Sequence, residues 1–248
     1  MPRSTAPQPD FAEPTSPWTR PGFLIAAAVI VLIVVAGIVI AVSRGGSKHP
    51  VQGATVTAGP STGGGTSTAA PPTAIPTIAP AGVTWSLVGQ SAVPVSRSAG
   101  PREVTPTTAT GFAHSPEGAL IAAAQLSIRA GYSAGRKSWE PTITNQFAPS
   151  ADRDLLLAGL KAQPEPSGQP GDLSPLAGYI YQSYTVDTAV IGLVYRTAAG
   201  ASSRYFVVSN TLVWRDGDWQ MVAPPGGSWR SLSRSTNDLI GVVEWGAR

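Results

Sequence analysis

The 248-residue chain has no cysteine. It forms no disulfide, holds no thiolate-ligated zinc and carries no cysteine nucleophile. It has only two histidines, His49 and His114, which excludes histidine-rich metal sites. Charged side chains make up 12% of the chain, against about 25% in an average soluble domain. In their place stand 27 glycines and 24 prolines, well above the roughly 12% that the two residues usually share. Such figures imply a chain of unlike parts: one apolar, one of low complexity, one folded.

The net charge of +3 and pI of 9.4 point toward nucleic acid until the charge is divided by segment. Residues 1–22 balance to zero, residues 44–83 carry Arg44 and Lys48 alone, and residues 84–248 hold 13 basic against 12 acidic side chains. A phosphate-backbone groove needs clustered Lys and Arg. The folded part offers one tight pair, Arg136-Lys137. Nucleic acid is therefore not an expected partner.

Residues 23–42 read FLIAAAVIVLIVVAGIVIAV, twenty residues without a polar or charged side chain. A helix of that length spans about 30 Å, the hydrocarbon thickness of a bilayer. Fourteen of the twenty are Phe, Leu, Ile or Val, which favours insertion by about 4 to 8 kcal/mol. Eleven are β-branched, yet in lipid only a helix satisfies its own backbone hydrogen bonds. A cleaved secretory signal has a shorter apolar stretch and a basic leader. Ala41-Val42-Ser43 would suit a cleavage site, but the run is long and the leader uncharged overall, so the sequence predicts one transmembrane helix over residues 23–43.

Basic residues flank both ends, and the positive-inside count ties. The next segment decides the orientation. Residues 50–83 are uncharged, and 28 of those 34 are Pro, Gly, Thr, Ser or Ala. Such a stretch cannot build a core, and Ser/Thr/Pro-rich stalks hold domains off the outer face of membranes. The expected layout is a disordered tail (1–22), the span (23–43), a Pro/Thr/Gly/Ala-rich linker (44–83) and an extracytoplasmic domain (84–248), with the N-terminus cytoplasmic.

All six tyrosines and six of the seven tryptophans fall within residues 84–248. Trp85, Leu87, Val93 and Val95 alternate as one or two short strands, followed by a loop to about residue 110. Ser115-Pro116-Glu117 is a helix start: a hydroxyl N-cap, proline at N1 and an acid facing the dipole. That helix presents Leu120, Ile121, Ala124 and Ile128 on one face and ends near Gly131. A second begins at Ser150. Residues 163–175 form a loop. Strand patterns then cover residues 179–187, 188–197, 204–215 and 219–223, with an Asp216-Gly217-Asp218 hairpin turn. No helix separates them, so they are antiparallel neighbours. The predicted class is α+β: a curved antiparallel sheet with helices packed on one face, and a further short element around residues 239–245.

No motif here supplies a reaction. Gly131-Tyr132-Ser133-Ala134-Gly135 matches the nucleophile-elbow spacing, but the elbow follows a strand and requires a downstream histidine, and none follows His114. Residues 131–138, GYSAGRKS, lack the spacing of a phosphate loop and read as a solvated loop. His114 leads into the first helix, with Glu117 as its near carboxylate. Asp187, Asp216 and Asp218 are expected at strand ends and turns, in their ordinary solvated role. Trp214 and Trp219 should pack across the hairpin or on the first helix. No catalytic, cofactor or metal residue is assigned.

Two helices followed by a meander that ends in VWRDGDWQMV (residues 213–222) resemble the nuclear transport factor two-like, or SnoaL-like, α+β roll over residues 110–224. Enzymes of that superfamily use an Asp or His inside the cone; no His lies on these strands, so the resemblance carries over no catalytic residue. The order of tail, span, linker and roll resembles the inner-membrane scaffold subunits of conjugation-type (type IV) secretion systems. It is similar too to accessory membrane proteins of actinobacterial lipid-import complexes. The segment GFAHSPEGA (residues 111–119) is similar to an uncharacterised actinobacterial family found with mobile elements. The resemblance implies a non-catalytic, membrane-anchored assembly module that binds itself or other membrane proteins. The alternative is an extracytoplasmic ligand-binding or enzymatic roll. A filled cone favours the first and an open polar pocket the second.

Overall fold

The computed structural model of the chain describes residues 72–166, 174–198 and 201–247. The tail, the apolar run and the linker up to residue 71 lie outside the described residues. Among the described residues, no helix is long and apolar enough to cross a membrane.

In chain order the elements are β1 (Val83–Val88), β2 (Ser91–Ser96), β3 (Glu103–Val104), β4 (Ala109–Thr110), α1 (Pro116–Arg129), α2 (Arg136–Gln146), α3 (Ala151–Lys161), β5 (Leu176–Thr185), β6 (Thr188–Arg196), β7 (Tyr205–Arg215), β8 (Asp218–Met221), β9 (Ser233–Thr236) and β10 (Val243–Glu244). The fold is mixed, with few helices. β5 to β8 form the expected antiparallel meander; β10 extends it beyond β5, and β9 pairs with β7. Two breaks in the β5–β6 register, at Leu176/Gly178 and Tyr181/Ser183, are where extra residues bend and twist the strand. The sheet is curved.

Strand alternation sorts its faces. Ile191, Leu193, Leu212 and Trp219 turn toward α1, whose Leu120, Ile121 and Leu126 are fully buried. Burying each of these large side chains contributes about 1.5–3 kcal/mol. On the other face Val194 and Val207 meet Leu239 and Val242 of the C-terminal segment, whose β10 is the short element expected near residue 240.

The N-cap of α1 is as anticipated: Ser115 accepts from the Gly118 N–H at 3.1 Å. Gly118 is required there, because a Cβ would sit 1.9 Å from the Ala113 carbonyl oxygen. Ser150 caps α3 in the same manner, accepting from Arg153 N–H.

Three sequence expectations are corrected. α1 is buried on more than the one expected face: Ala122 and Ala123 are as inaccessible as Leu120, because the β1–β2 hairpin packs on the helix as well, while Ile128 of the expected face is half-buried. The loop to residue 110 contains the small β3–β4 ladder. Residues 131–138 face solvent, all but Ser138, but they are not one loop. A single 3-10 turn (Tyr132–Ala134) leads into α2, which no cap announces and Pro141 interrupts. Tertiary contacts hold α2 instead: Trp139 and Ile143 are buried, Thr142 donates to the Thr107 carbonyl, and the Gln146 side chain pairs with both backbone groups of Ala109.

Candidate functional site

Residues 111–115, joining β4 to α1, cross two turns of the meander. Asp218 secures this connector. Its carboxylate accepts from the N–H groups of Gly111 (2.8 Å), Phe112 (3.0 Å) and Trp219 (2.9 Å). Trp219 Nε1 adds a bond to the Ala113 carbonyl at 2.9 Å. Asp218 is thus an anchor and not the solvated turn residue the sequence suggests. Asp216 keeps its expected place: it is exposed, with φ 54°, followed by Gly217 at φ 82°, the pair of positive angles a two-residue hairpin needs.

His114 lies flat on Trp214, with centroids 4.0 Å apart and planes 7° from parallel. Trp219 meets it edge-on. Its Nε2 is 2.8 Å from the Val186 carbonyl and 3.0 Å from Asp187 Oδ1. A carbonyl only accepts, so Nε2 carries the hydrogen and donates. Glu117, the neighbour in sequence, is not its partner; Glu117 accepts from Ser96 Oγ across the α1–β2 junction. Among the described residues no hydroxyl bonds to His114. The imidazole is wedged between two turns with its ring and its Nε2 both engaged. The elbow-like Ser133 lies apart from it, exposed in the turn after α1.

Aromatic side chains fill the hollow of the sheet. Tyr179, Tyr181, Tyr184 and Trp219 form a chain of edge contacts with centroids 5.9–6.4 Å apart, and Trp245 closes on Tyr179 at 5.6 Å. Several phenols are tied to backbone. Tyr181 donates to the Pro116 carbonyl, and Tyr179 to that of Ile78 at 2.8 Å. Burial is the main cause that pushes the Tyr179 hydroxyl up to about 12, with the Glu117 charge second. Burial pushes Tyr195 up to about 12 against the opposing bond to Ser127. Tyr181 is raised by burial too.

At one end the hollow opens. A cleft of about 330 Å³ lies between the end of α1 and strands β6 and β7, with Tyr195, Phe206, Val208 and Trp229 as its apolar surface and Ser127 and Ser133 at its edge. Tyr195 and Phe206 stack at 5.2 Å, and Tyr195 donates to Ser127 Oγ at 3.0 Å. No charged side chain lines it among the described residues.

On the opposite side of α1, Arg129 is 2% exposed. Its Nε donates to Gln125 Oε1 at 3.0 Å, and Gln125 in turn holds the Pro94 carbonyl at 2.8 Å. Nη1 is buried with no hydrogen-bond partner. Burial lowers this guanidinium's pKa. Arg136, by contrast, is exposed and paired: with Lys161 it clasps Glu140, each at 2.8 Å.

Residues 47–244 match the family model described as a domain of unknown function, DUF8175. The chain belongs to that family. The match starts inside the expected linker and ends within β10, so it takes in both hairpins, all three helices and the whole meander. No curated protein and no solved structure matches the chain.

Three features of this family member escape a reading of its sequence. Asp218 looks like any hairpin aspartate, since two of its three N–H partners, Gly111 and Phe112, lie 107 and 106 residues upstream. Arg129 closes a helix where a basic residue is ordinary. The cleft aromatics Tyr195, Phe206 and Trp229 come from separate elements and share no local motif.

Proposed function

We propose that the chain is a membrane-anchored, non-catalytic binding module that works by docking partners in its own membrane, with the α+β domain on the outer face. The filled hollow carries this reading. Tyr179, Tyr181, Trp219 and Trp245 pack together in one apolar cluster, which supports a filled and not an open hollow. Of the polar groups beside it, His114 and Asp218 are spent on fixing the connector and Glu117 accepts from Ser96. The uncharged cleft under Trp229 is the docking surface. Its aromatic faces, Tyr195, Phe206 and Trp229, are of the kind enriched at the centre of protein interfaces and lining grooves for proline-rich segments.

The apolar run at residues 23–42 supports the anchor, and the uncharged residues 50–83 support the orientation. A random coil of the composition of residues 50–71 has an r.m.s. reach of about 23–28 Å. Confinement to that distance raises the local concentration of partners that share the membrane. The layout supports a scaffold or accessory subunit of a conjugation-type secretion apparatus as the setting.

Chemical crosslinking in native membranes tests the reading. The expected product joins the chain to itself or to another membrane protein. A monomer throughout, together with a turnover lost in Asp187→Ala, would replace this reading with an enzymatic one.

A further inference from the structure

Beneath the β1–β2 hairpin lies a second cavity, of about 420 Å³, lined by Arg129, Lys137, Ser138, Leu87, Val104 and Thr105 among others. Arg129 has no carboxylate partner among the described residues. A buried charge without a partner is costly and is rarely tolerated. The C-terminal dipole of α1 supplies only a fraction of a counter-charge, and a neutral Gln125 oxygen supplies none. Lys137, on the same cavity, makes no ion pair among the described residues either. Lys137 and Ser138 belong to the first turn of the eleven-residue α2, which has no side-chain cap and no acid in that turn. The positive end of the helix therefore adds to the same field. The rim has the opposite character: the apolar side chains of Leu87 and Val104 are 72% and 53% exposed.

We propose that this cavity binds an oxyanion, carboxylate or phosphate, carried on a short apolar chain. Arg129 and Lys137 take the oxygens, and Leu87 and Val104 pack on the chain. Nε is occupied by Gln125 and Nη1 has no partner, so the guanidinium keeps N–H donors for an oxyanion, the class of group that arginine binds best. The site is separate from the Trp229 cleft, so either can fail without the other.

Isothermal titration calorimetry on the full chain in a non-ionic detergent tests it with hexanoate, hexyl phosphate, inorganic phosphate and hexan-1-ol. Both hexyl anions should bind and hexanol should not. The tighter of the two anions identifies the head group, and inorganic phosphate should bind more weakly than hexyl phosphate by the contribution of the tail. Lys137→Gln should weaken the anions about tenfold, and Leu87→Ser should weaken the hexyl anions but not inorganic phosphate. Arg129→Met should abolish binding. Lys137 and Leu87 are exposed, so their variants decide the matter even if the Arg129 variant does not fold. Hexanol binding as tightly as hexanoate, no heat from either hexyl anion, or wild-type affinity in Lys137→Gln would overturn the proposal.

Discussion

His114 and Trp214 stack face to face at 4.0 Å, joining the residue that leads into α1 to the end of the longest strand. The contact is long-range in sequence and closes the connector over the sheet. His114→Ala should cost about 1–2 kcal/mol, from the lost stack and the lost bonds to Val186 and Asp187. His114→Phe should restore the stacking share only. Asp187→Ala should cost less than about 1 kcal/mol, because that carboxylate is 70% exposed. Urea denaturation of the three variants checks the order.

Asp218 should be the more sensitive position. Its removal strands the N–H groups of Gly111, Phe112 and Trp219. Asp218→Ala should destabilise the domain by about 2–3 kcal/mol, and Asp216→Asn, which keeps a residue type that tolerates the positive φ of 54°, by less than about 0.5 kcal/mol. Equal losses at the two aspartates, measured in the same denaturation series, would contradict the anchoring role.

Much of the architecture was legible because it is local. The Ser115 and Ser150 caps, the Asp216-Gly217 turn and the period-two patterns of β6 and β7 are written within a few residues each. α2 was not, since glycine precedes it, Pro141 lies inside it, and contacts to Thr107 and Ala109 hold it. The roles of Asp218 and Arg129 were hidden for a related reason. A carboxylate in a turn and an arginine at a helix end are the commonest of surface residues, and only the tertiary neighbours make them otherwise.

The buried tyrosines set an alkaline limit. Tyr179 and Tyr195 are each pushed up to about 12, above the ordinary value near 10. A raised folded pKa of an acid that is neutral below it stabilises the fold at lower pH, and that stability is lost as pH rises through the folded value. Stability should therefore be flat to about pH 10 and fall between about 10 and 12. Ultraviolet difference spectra should show these two phenols ionising with unfolding. Tyr195→Phe should remove its part of the alkaline dependence.

Glu140 works in the acid direction. Its carboxyl is held down at about 2, first by the hydrogen bond from Arg136 and then by that from Lys161. A depressed folded pKa gives stability above the ordinary carboxylate range, lost as pH falls toward 2. The difference in melting temperature between wild type and Glu140→Gln should be small, constant above about pH 5, reduced by salt, and gone near pH 2. A difference that grows on acidification would contradict the pairing.

Docking at the aromatic cleft is tested most directly by a photo-crosslinking side chain placed at position 229, which lines the cleft with Tyr195 and Phe206, in the full chain in its native membrane. Position 240 serves as the control; Ile240 is 86% exposed and follows Leu239, which packs on the opposite face of the sheet. Irradiation should give one discrete product from position 229, joining the chain to a membrane protein or to a second copy, and none from position 240. Monomer alone from position 229, or the same products from both positions, would contradict the binding-module account.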